Sequence, residues 1–360
     1  MTGTGPATGT RAATARGPGD GTATGAAPDV PEVLGLGLPA AVPADGLPRQ
    51  VRIHEVGARD GLQNEKQIVP TAVKAEFVHR LADAGLTTIE ATSFVHPAWV
   101  PQLADAAELM PLLADLTGGS GGAACRLPVL VPNERGLDRA LELGVREIAV
   151  FGSATESFAR ANLNRTVDES LTMFEPVVAR ARAAGATVRG YLSMCFGDPW
   201  EGPVPVGQVA AVARRLYAMG CTELSLGDTI GVATPGQVTA LLDELTGGTD
   251  RSAAGGGIPV EHLAVHFHDT YGQALSNTLA ALQRGVTVVD ASAGGLGGCP
   301  YAKSATGNLA TEDLVWMLNG LGISTGVDLH RLSATSVWMA EQLGRPSPSR
   351  TVRALTHREQ

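Results

Sequence analysis

The feature that most constrains the fold is an eightfold alternation of strand-like and helix-like segments between about residues 48 and 325. Each unit pairs a short run of apolar and β-branched residues with a longer stretch whose apolar residues recur at helical spacing. The first unit is VRIHEV followed by TAVKAEFVHRLADA, which is closed by Gly85. Eight such units without a break in composition predict a closed parallel α/β barrel, the TIM (β/α)8 fold.

The alternative architecture is an open, doubly wound sheet. Such a sheet seldom needs eight regular units, and no GxGxxG motif follows the first strand-like run. The barrel is therefore the preferred interpretation. Its predicted strands are Val51–Val56, Thr88–Phe94, Leu127–Val131, Glu147–Gly152, Thr187–Met194, Thr222–Leu226, Leu263–His268 and Val286–Ala291.

The segments around these units divide the chain into three parts. Residues 1–47 are rich in Gly, Ala, Thr and Pro and are predicted to be a disordered tail. Residues 48–325 form the predicted catalytic barrel, and residues 326–360 a helical extension with the additional helix Leu329–Leu343 and a frayed end. Within the barrel, the polar run SATESFARANLNRT and the run CFGDPWEGPVP are predicted to be loops.

Composition excludes several classes of function. The net charge of -9 disfavours nucleic acid and anionic membrane surfaces as partners. No apolar run approaches the ~18 residues that a membrane span needs, and the N-terminus has no apolar signal-peptide core. The cysteines are widely spaced without a CxxC motif, so we expect reduced thiols in a cytoplasmic protein. They are Cys125, Cys195, Cys221 and Cys299.

The motif His266-Phe267-His268-Asp269 is the sharpest local signal of chemistry. Residues two apart on a strand face the same side, so both imidazoles can point into the barrel. Such a pair at a strand end can present two nitrogen ligands to one divalent metal; two ordinary core histidines are the alternative interpretation. Asp60, after the first strand, and Asn308, after the eighth, can complete an oxygen and nitrogen shell suited to Mg²⁺ or Mn²⁺.

Charged residues at other strand ends add to this signal. Arg59, beside Asp60, can hold a developing enolate or carboxylate oxygen by charge-assisted bonds, whereas a surface ion pair is the simpler reading. Glu90 and Asp228 lie at or near the ends of the second and sixth strands. Each can act directly in proton transfer or can serve as a support or a helix cap, and the sequence leaves both roles open.

After the eighth strand the chain enters a glycine-rich loop with a single cysteine, GGLGGCPYAKSATGN. Four glycines within five residues are conformationally expensive, and a chain keeps them where the backbone approaches or covers a ligand. A flexible surface turn is the other reading. Placed at a barrel mouth, the loop is predicted to carry Cys299 over the site while Asn308 anchors its far end.

Five blocks in order make the chain resemble the 3-hydroxy-3-methylglutaryl-CoA lyases, metal-dependent TIM-barrel enzymes related to the Claisen-type synthases. The blocks are VGARDGLQNEK, IEATSFVHPAWVPQ, SLGDTIGVATPGQV, AVHFHDTYGQALSNTL and GGLGGCPYAKSATGNLATEDLVWML. The resemblance covers about residues 48 to 325. It implies an acyl-CoA substrate, a divalent cation and a homodimer.

The resemblance also implies roles for individual residues. The implied metal ligands are Asp60, His266, His268 and Asn308. The implied catalytic residues are Arg59, which stabilises the enolate, Cys299, which takes part in proton transfer, and Glu90, Asp228 and His266. Implied substrate-binding residues are Arg59, Gln63, Ser93, Tyr191 and Ser225, with Glu312 supporting the site.

The implied reaction is a retro-Claisen cleavage of 3-hydroxy-3-methylglutaryl-CoA to acetoacetate and acetyl-CoA, with leucine degradation as one pathway context. Departures from the family pattern affect the pocket rim: Asp198 and Trp200 stand where better known lyases carry cysteine and tyrosine. A lyase for longer 3-hydroxy-3-alkylglutaryl-CoA esters is therefore one alternative. Another is a condensing synthase, although Leu62 and the Cys299 loop favour a lyase. A third is an inactive barrel used as a scaffold.

Overall fold

The protein is described by a computed structural model that covers residues 39–118, 124–247, 257–298 and 307–356. Most of the predicted disordered tail lies outside these residues. The described end of that segment is attached to the barrel, because the Val42 amide donates to the Gly320 carbonyl at 2.8 Å. Within the described ranges, no helix is both long and apolar enough to cross a membrane.

Eight parallel strands form one continuous sheet, and a separate two-stranded hairpin lies outside it. The order in the large sheet is β1-β10-β9-β8-β5-β4-β3-β2. Glu55 of β1 also forms a parallel bridge with Ile89 before β2, so the first and last strands meet. The predicted TIM barrel is confirmed. The strands are β1 Arg52–Glu55, β2 Thr92–Ser93, β3 Val129–Leu130, β4 Glu147–Ser153, β5 Thr187–Ser193, β6 Gly197–Asp198, β7 Gly202–Pro203, β8 Glu223–Asp228, β9 Leu263–Phe267 and β10 Val288–Ala291.

Helices connect successive strands and cover the sheet from outside. Their apolar faces pack on buried strand residues such as Val129, Ile148 and Val188, and this packing forms the main core. The helices are α1 Thr71–Asp83, α2 Ala106–Leu112, α3 Ala114–Thr117, α4 Glu134–Glu142, α5 Glu156–Leu163, α6 Val167–Ala183, α7 Val206–Met219, α8 Pro235–Thr246, α9 Ala274–Gln283, α10 Thr311–Gly320, α11 Leu329–Leu343 and α12 Arg350–Thr356.

Two loop predictions and one terminal prediction were wrong. The run SATESFARANLNRT contains α5, and CFGDPWEGPVP contains the β6–β7 hairpin, residues 197–203. The predicted frayed end contains α12, whose start is held by Asp313: the Thr351 amide donates to Asp313 Oδ1 at 2.7 Å and the Ser349 hydroxyl at 2.8 Å. Contacts from distant segments hold the starts of α5 and α12, whereas bonds within the hairpin close its turn.

Candidate active site

Three side chains at the C-terminal end of the barrel converge on one point. Asp60 lies in a π-helical turn, Gly57–Gly61, directly after β1, whereas His266 lies on β9 and His268 follows that strand. One potential ligand atom from each of the three residues lies within 4.8 Å of the other two. A carboxylate and two imidazoles arranged in this way can hold a divalent cation. The structure thus brings together three of the four predicted ligands.

The fourth predicted ligand, Asn308, lies beside Asp60. Its Nδ2 donates to Asp60 Oδ2 at 2.9 Å and to the Leu296 carbonyl at 3.0 Å. Its Oδ1 is buried and, within the described ranges, accepts no hydrogen bond. A buried amide oxygen without a donor is unfavourable, and a cation would satisfy it. The residues present therefore fit a divalent cation with mixed oxygen and nitrogen ligands.

The orientation of His266 is fixed from below by Asp290 on β10. His266 Nδ1 lies 3.3 Å from Asp290 Oδ2, so its Nε2 is the ring nitrogen left to face a ligand. Burial lowers the pKa of His266, but the hydrogen bond and charge of Asp290 raise it more, and the net pKa lies above its usual value. A carboxylate that holds the second nitrogen of a histidine is a common support of metal-binding imidazoles.

Arg59 is buried next to Asp60 and is held by two carboxylates. Its Nε and Nη2 donate to Glu90 Oε2 at 2.8 and 2.6 Å, and its Nη1 donates to Asp60 Oδ1 at 2.8 Å. The Tyr191 hydroxyl also donates to Glu90 Oε2, at 3.1 Å, and the guanidinium lies over the Tyr191 ring. Glu90 thus positions Arg59, which places a fixed positive charge beside the three converging side chains.

Two glycines allow the turn that carries Arg59 and Asp60 to pack against the loop after β10. A Cβ atom at Gly57 would lie 2.6 Å from Glu55 Oε1, and a Cβ atom at Gly61 would lie 2.9 Å from Leu296 Cβ. A side chain at either position would displace these neighbouring groups. The motif GARDG therefore serves packing as well as chemistry.

A cavity of about 710 Å³ opens above these residues. One side is polar and carries Arg59, Asp60, Gln63, His266 and His268. The opposite side comes from β3 and β4 and from the segments that follow β2 and β4. It is mostly apolar, with Val95, Trp99, Leu130, Phe151, Phe158 and Leu163. A cavity with this volume and this division suits a ligand with a polar reacting end and an apolar or extended remainder.

Comparison with known proteins agrees with this geometry. The model of the HMGL-like family matches residues 50–338, which include every strand of the barrel. The chain belongs to the HMGL-like family. The predicted family resemblance is confirmed.

Several relatives of this HMGL-like chain are named as hydroxymethylglutaryl-CoA lyases. It is 52% identical over 307 residues to "Hydroxymethylglutaryl-CoA lyase, mitochondrial" of Bos taurus, covering 85% of this chain and 90% of the relative. The Arabidopsis thaliana protein of the same name is also 52% identical, and 87% of this chain spans 64% of its length. The solved hydroxymethylglutaryl-CoA lyase from Pseudomonas aeruginosa superposes with a TM-score of 0.79 at 47% identity, covering 86% of this chain and 98% of the solved one.

A second solved relative was determined with ligands. It is an HMG-CoA lyase from Acinetobacter baumannii in complex with coenzyme A and 3-methylmalate, with a TM-score of 0.77 and 34% identity. The superposition covers 87% of this chain and 97% of the solved one.

Sequence reasoning missed a buried ionic layer below the site of this HMGL-like chain. Arg189 on β5 pairs with Glu223 on β8 and with Asp290, and its Nη1 lies 3.0 Å from His54 Nδ1. Burial and then the Arg189 charge hold the pKa of His54 well below its usual value. The available signal was the presence of charged residues inside apolar strands, as in VRIHEV, TVRGYL and VVDA.

A second missed residue, Glu55, lies beneath the glycine-rich loop. Its Oε1 accepts from the Gly57 and Ala293 amides, both at 2.8 Å, and its Oε2 accepts from the Thr311 hydroxyl at 2.6 Å. The predicted supporting residue Glu312 lies nearby and accepts from the Gly294 amide at 2.9 Å and from the Ser336 hydroxyl. Burial raises the pKa of Glu55 to about 7 and that of Glu312 to about 8.

The other predicted residues lie at different depths. Gln63 lines the cavity, as do Tyr191 and Ser225, whose hydroxyl donates to Asp290 Oδ2 at 2.8 Å. Ser93 is buried, and its Oγ accepts from the Val95 amide at 3.2 Å. Asp228 directs its carboxylate to the following loop, where Val232 and Ala233 donate at 2.9 and 3.0 Å.

Burial raises the pKa of Asp228 to about 6. These contacts make Asp228 a support of the loop before α8, whose own N-cap is Thr234. Its direct catalytic role stays a prediction.

The predicted proton donor Cys299 lies outside the described residues. The last described residue before it, Gly298, borders the cavity, and its carbonyl accepts from Asn64 Nδ2 at 2.9 Å. The described thiols Cys125, Cys195 and Cys221 are buried, and burial raises the pKa of each. None of these three is suited to act as a thiolate at neutral pH.

Proposed function

We propose that this chain is a divalent-metal-dependent carbon–carbon lyase that cleaves 3-hydroxy-3-methylglutaryl-CoA to acetoacetate and acetyl-CoA. The observation that carries the proposal is the buried Arg59 beside the converging Asp60, His266 and His268 at the polar end of the cavity. The names of relatives half identical over most of the chain support the substrate. The ligand set of one solved relative supports a coenzyme A thioester.

The residues that would hold the cation are Asp60, His266, His268 and Asn308. Their oxygen and nitrogen atoms favour Mg²⁺ or Mn²⁺, and such an ion would polarise the substrate oxygens. Because His266 Nδ1 faces Asp290, a single nitrogen of this ring remains for the cavity. That nitrogen cannot bind a cation and accept a proton at the same time, so we assign His266 to metal binding.

Arg59 is placed to stabilise the charge that forms when the C2–C3 bond breaks. A general base takes the C3 hydroxyl proton, the C3 carbon becomes the ketone of acetoacetate, and the electrons of the C2–C3 bond pass to the thioester fragment as an enolate. A guanidinium fixed by Glu90 and Asp60 needs no reorganisation to face that oxygen. Protonation of the enolate carbon, which we assign to Cys299, then yields acetyl-CoA.

The apolar side of the cavity would receive the C3 methyl group and part of the thioester chain. Phe151 and Leu130 lie on β4 and β3, pack with Tyr191 and line the cavity. We infer that this side decides how large a C3 substituent the enzyme accepts. The relatives named for this family carry both mitochondrial and cytoplasmic names. The cytoplasmic location, the homodimer and the role in leucine degradation stay predictions.

The proposal is tested with protein stripped of metal by a chelator and then supplied with Mg²⁺ or Mn²⁺ and a thiol reductant. We expect acetoacetate from 3-hydroxy-3-methylglutaryl-CoA only after metal is returned. If the protein cleaves a longer 3-alkyl analogue but not 3-hydroxy-3-methylglutaryl-CoA, the analogue becomes the assigned substrate. Metal-loaded protein that cleaves neither 3-hydroxy-3-methylglutaryl-CoA nor its longer 3-alkyl analogues would overturn the proposal.

A second assay addresses the proton donor. Cys299→Ser removes the thiol and is nearly equal in size, so we expect normal metal binding and loss of most turnover. A Cys299→Ser variant with a near-normal rate would assign the proton transfer to another group.

A further inference from the structure

One wall of the cavity is formed by α5, a helix that is too short to be stable without support. Phe158 in its first turn, Leu163 at its last position and Asn164 directly after it face the cavity. The helix has eight residues, and isolated helices shorter than about 12 residues are marginal in water. Its position must therefore be fixed by contacts with the rest of the protein.

The N-terminus of α5 is held by the β6–β7 hairpin rather than by its own N-cap residue. Thr155 precedes the helix, but its side chain makes no capping bond to the helix. Its hydroxyl instead donates to Asp198 Oδ2 at 2.6 Å. The Ser157 amide, in the first turn, donates to Glu201 Oε1 at 2.6 Å. The hairpin thus supplies the acceptor that a local N-cap usually provides.

Asp198 joins the fold of the hairpin to this capping arrangement. The carboxylate is 3% exposed, and its Oδ1 accepts from the Trp200 and Glu201 amides at 2.7 and 2.9 Å. Those bonds close the turn that presents Glu201 to α5. The Thr155 hydroxyl also lies 3.2 Å from Ser153 Oγ, which limits its rotation. One buried carboxylate therefore sets both the hairpin turn and the start of the helix.

We propose that Asp198 and Glu201 are positioning residues for the acyl-CoA substrate: through Thr155 and Ser157 they fix α5 as a wall of the cavity. This inference rests on the proposed function for its substrate. The placement of α5 itself can be tested without turnover. Neither residue contacts Arg59, Asp60 or His266 in the hydrogen bonds described, so their effect is separable from that of the polar side.

The decisive variant is Asp198→Ala, compared with Thr155→Val and its matched control Thr155→Ser. Asp198→Ala and Thr155→Val should speed amide hydrogen exchange in residues 156–164, whereas Thr155→Ser keeps the donor and should exchange as the wild type does. Loss of a buried hydrogen bond corresponds to roughly 10-fold weaker binding. For Asp198→Ala and Thr155→Val we therefore expect a roughly 10-fold higher Kd for coenzyme A, measured by calorimetry, and a similarly higher KM.

Turnover and metal binding provide the contrast with a general structural defect. We expect kcat and the affinity for Mn²⁺ to stay within about threefold of the wild type, because a merely damaged fold would lower both, whereas loss of uniform binding raises KM alone. Glu201→Gln keeps an acceptor for Ser157 and should behave nearly as the wild type, whereas Glu201→Ala should resemble Asp198→Ala. Asp138→Ala, which breaks an exposed pair with Arg180, is the control for surface charge.

Unchanged exchange of α5 in both Asp198→Ala and Thr155→Val would overturn the proposal, as would an equal fall in kcat and metal affinity. If Asp198→Ala does not fold, Thr155→Val decides, because it leaves the bonds inside the hairpin in place. A wild-type protein that fails to cleave the thioester would refute the proposed function and leave the exchange result to judge the positioning role.

Discussion

The polar and the apolar side of the cavity are held in place by different kinds of interaction. On the polar side, charged groups are locked by a second buried group: Arg59 by Glu90, and His266 by Asp290. On the apolar side, Phe158 and Leu163 lie on the short helix α5, which a neighbouring hairpin holds at its N-terminus. Buried charge requires partners at fixed distances, whereas apolar contacts tolerate small shifts. We infer that the polar side fixes the reaction and the apolar side selects the substrate.

The largest effect is expected when the charge at the centre of the polar side is removed. Arg59→Gln should lower kcat by roughly 10²–10³, the cost of losing one preorganised donor to a developing oxyanion. The affinity for Mn²⁺ should fall less than kcat does, since Arg59 is not itself a ligand and holds the ligand Asp60 through a single hydrogen bond. Steady-state kinetics and metal titration measure the two quantities. A large loss of metal affinity with kcat retained would contradict the assignment.

A second test removes the support of a ligand rather than the ligand. Asp290→Asn cannot pair with Arg189 as the carboxylate does and weakens the hold on His266, so metal affinity should fall by roughly 10–100-fold. Ser225→Ala removes the hydroxyl that donates to the same Asp290 oxygen, and it should lower the metal affinity much less. Calorimetric titration with Mn²⁺ compares the two variants. Equal affinities in wild type and Asp290→Asn would show that the buried layer does not position His266.

The role of the apolar side in substrate specificity can be tested by enlarging that side of the cavity. Phe151→Ala should raise KM for 3-hydroxy-3-methylglutaryl-CoA by roughly 10-fold, in line with the modest discrimination that apolar pockets provide. Metal affinity should be unchanged, and a 3-ethyl analogue should gain relative to the natural substrate. Competition between the two thioesters gives the ratio of kcat/KM directly. No change in that ratio would place the C3 substituent elsewhere in the cavity.

The smallest expected effect concerns the carboxylates under the glycine-rich loop. The pKa of Glu312 is raised to about 8 and that of Glu55 to about 7 by burial. A pKa raised in the folded state adds stability that is complete below the unfolded pKa and is lost as pH rises through the folded pKa. These two groups should therefore make the free energy of unfolding fall between about pH 5 and pH 8.

Glu312→Gln cannot ionise, so its unfolding free energy should depend less steeply on pH over that range. Urea unfolding at pH 5.5 and pH 8 measures the slope, with an exposed control such as Glu244→Gln. Identical slopes in Glu312→Gln and the wild type would mean that the ionisation of Glu312 does not contribute.

Much of the site could be predicted because its residues sit in short, ordered motifs. The spacing of His266 and His268 places both side chains on one face of a strand, and Asp60 follows the first strand directly. The charged layer of Arg189 and Asp290 could not be predicted in the same way. Its members are far apart in the chain and each looks like an isolated charge in an apolar strand.

The amino-acid sequence predicts the barrel architecture, which is confirmed, and it identifies candidate reacting groups at the barrel mouth. Eight regular strand–helix units favour a closed barrel, and parallel strands bring their C-terminal ends to one mouth. Only the tertiary structure decided which groups hold those residues in place. Register between strands sets the contact of His266 with Asp290, and a hairpin some 40 residues away along the chain caps α5. Such contacts depend on distance in space, which local sequence preferences do not encode.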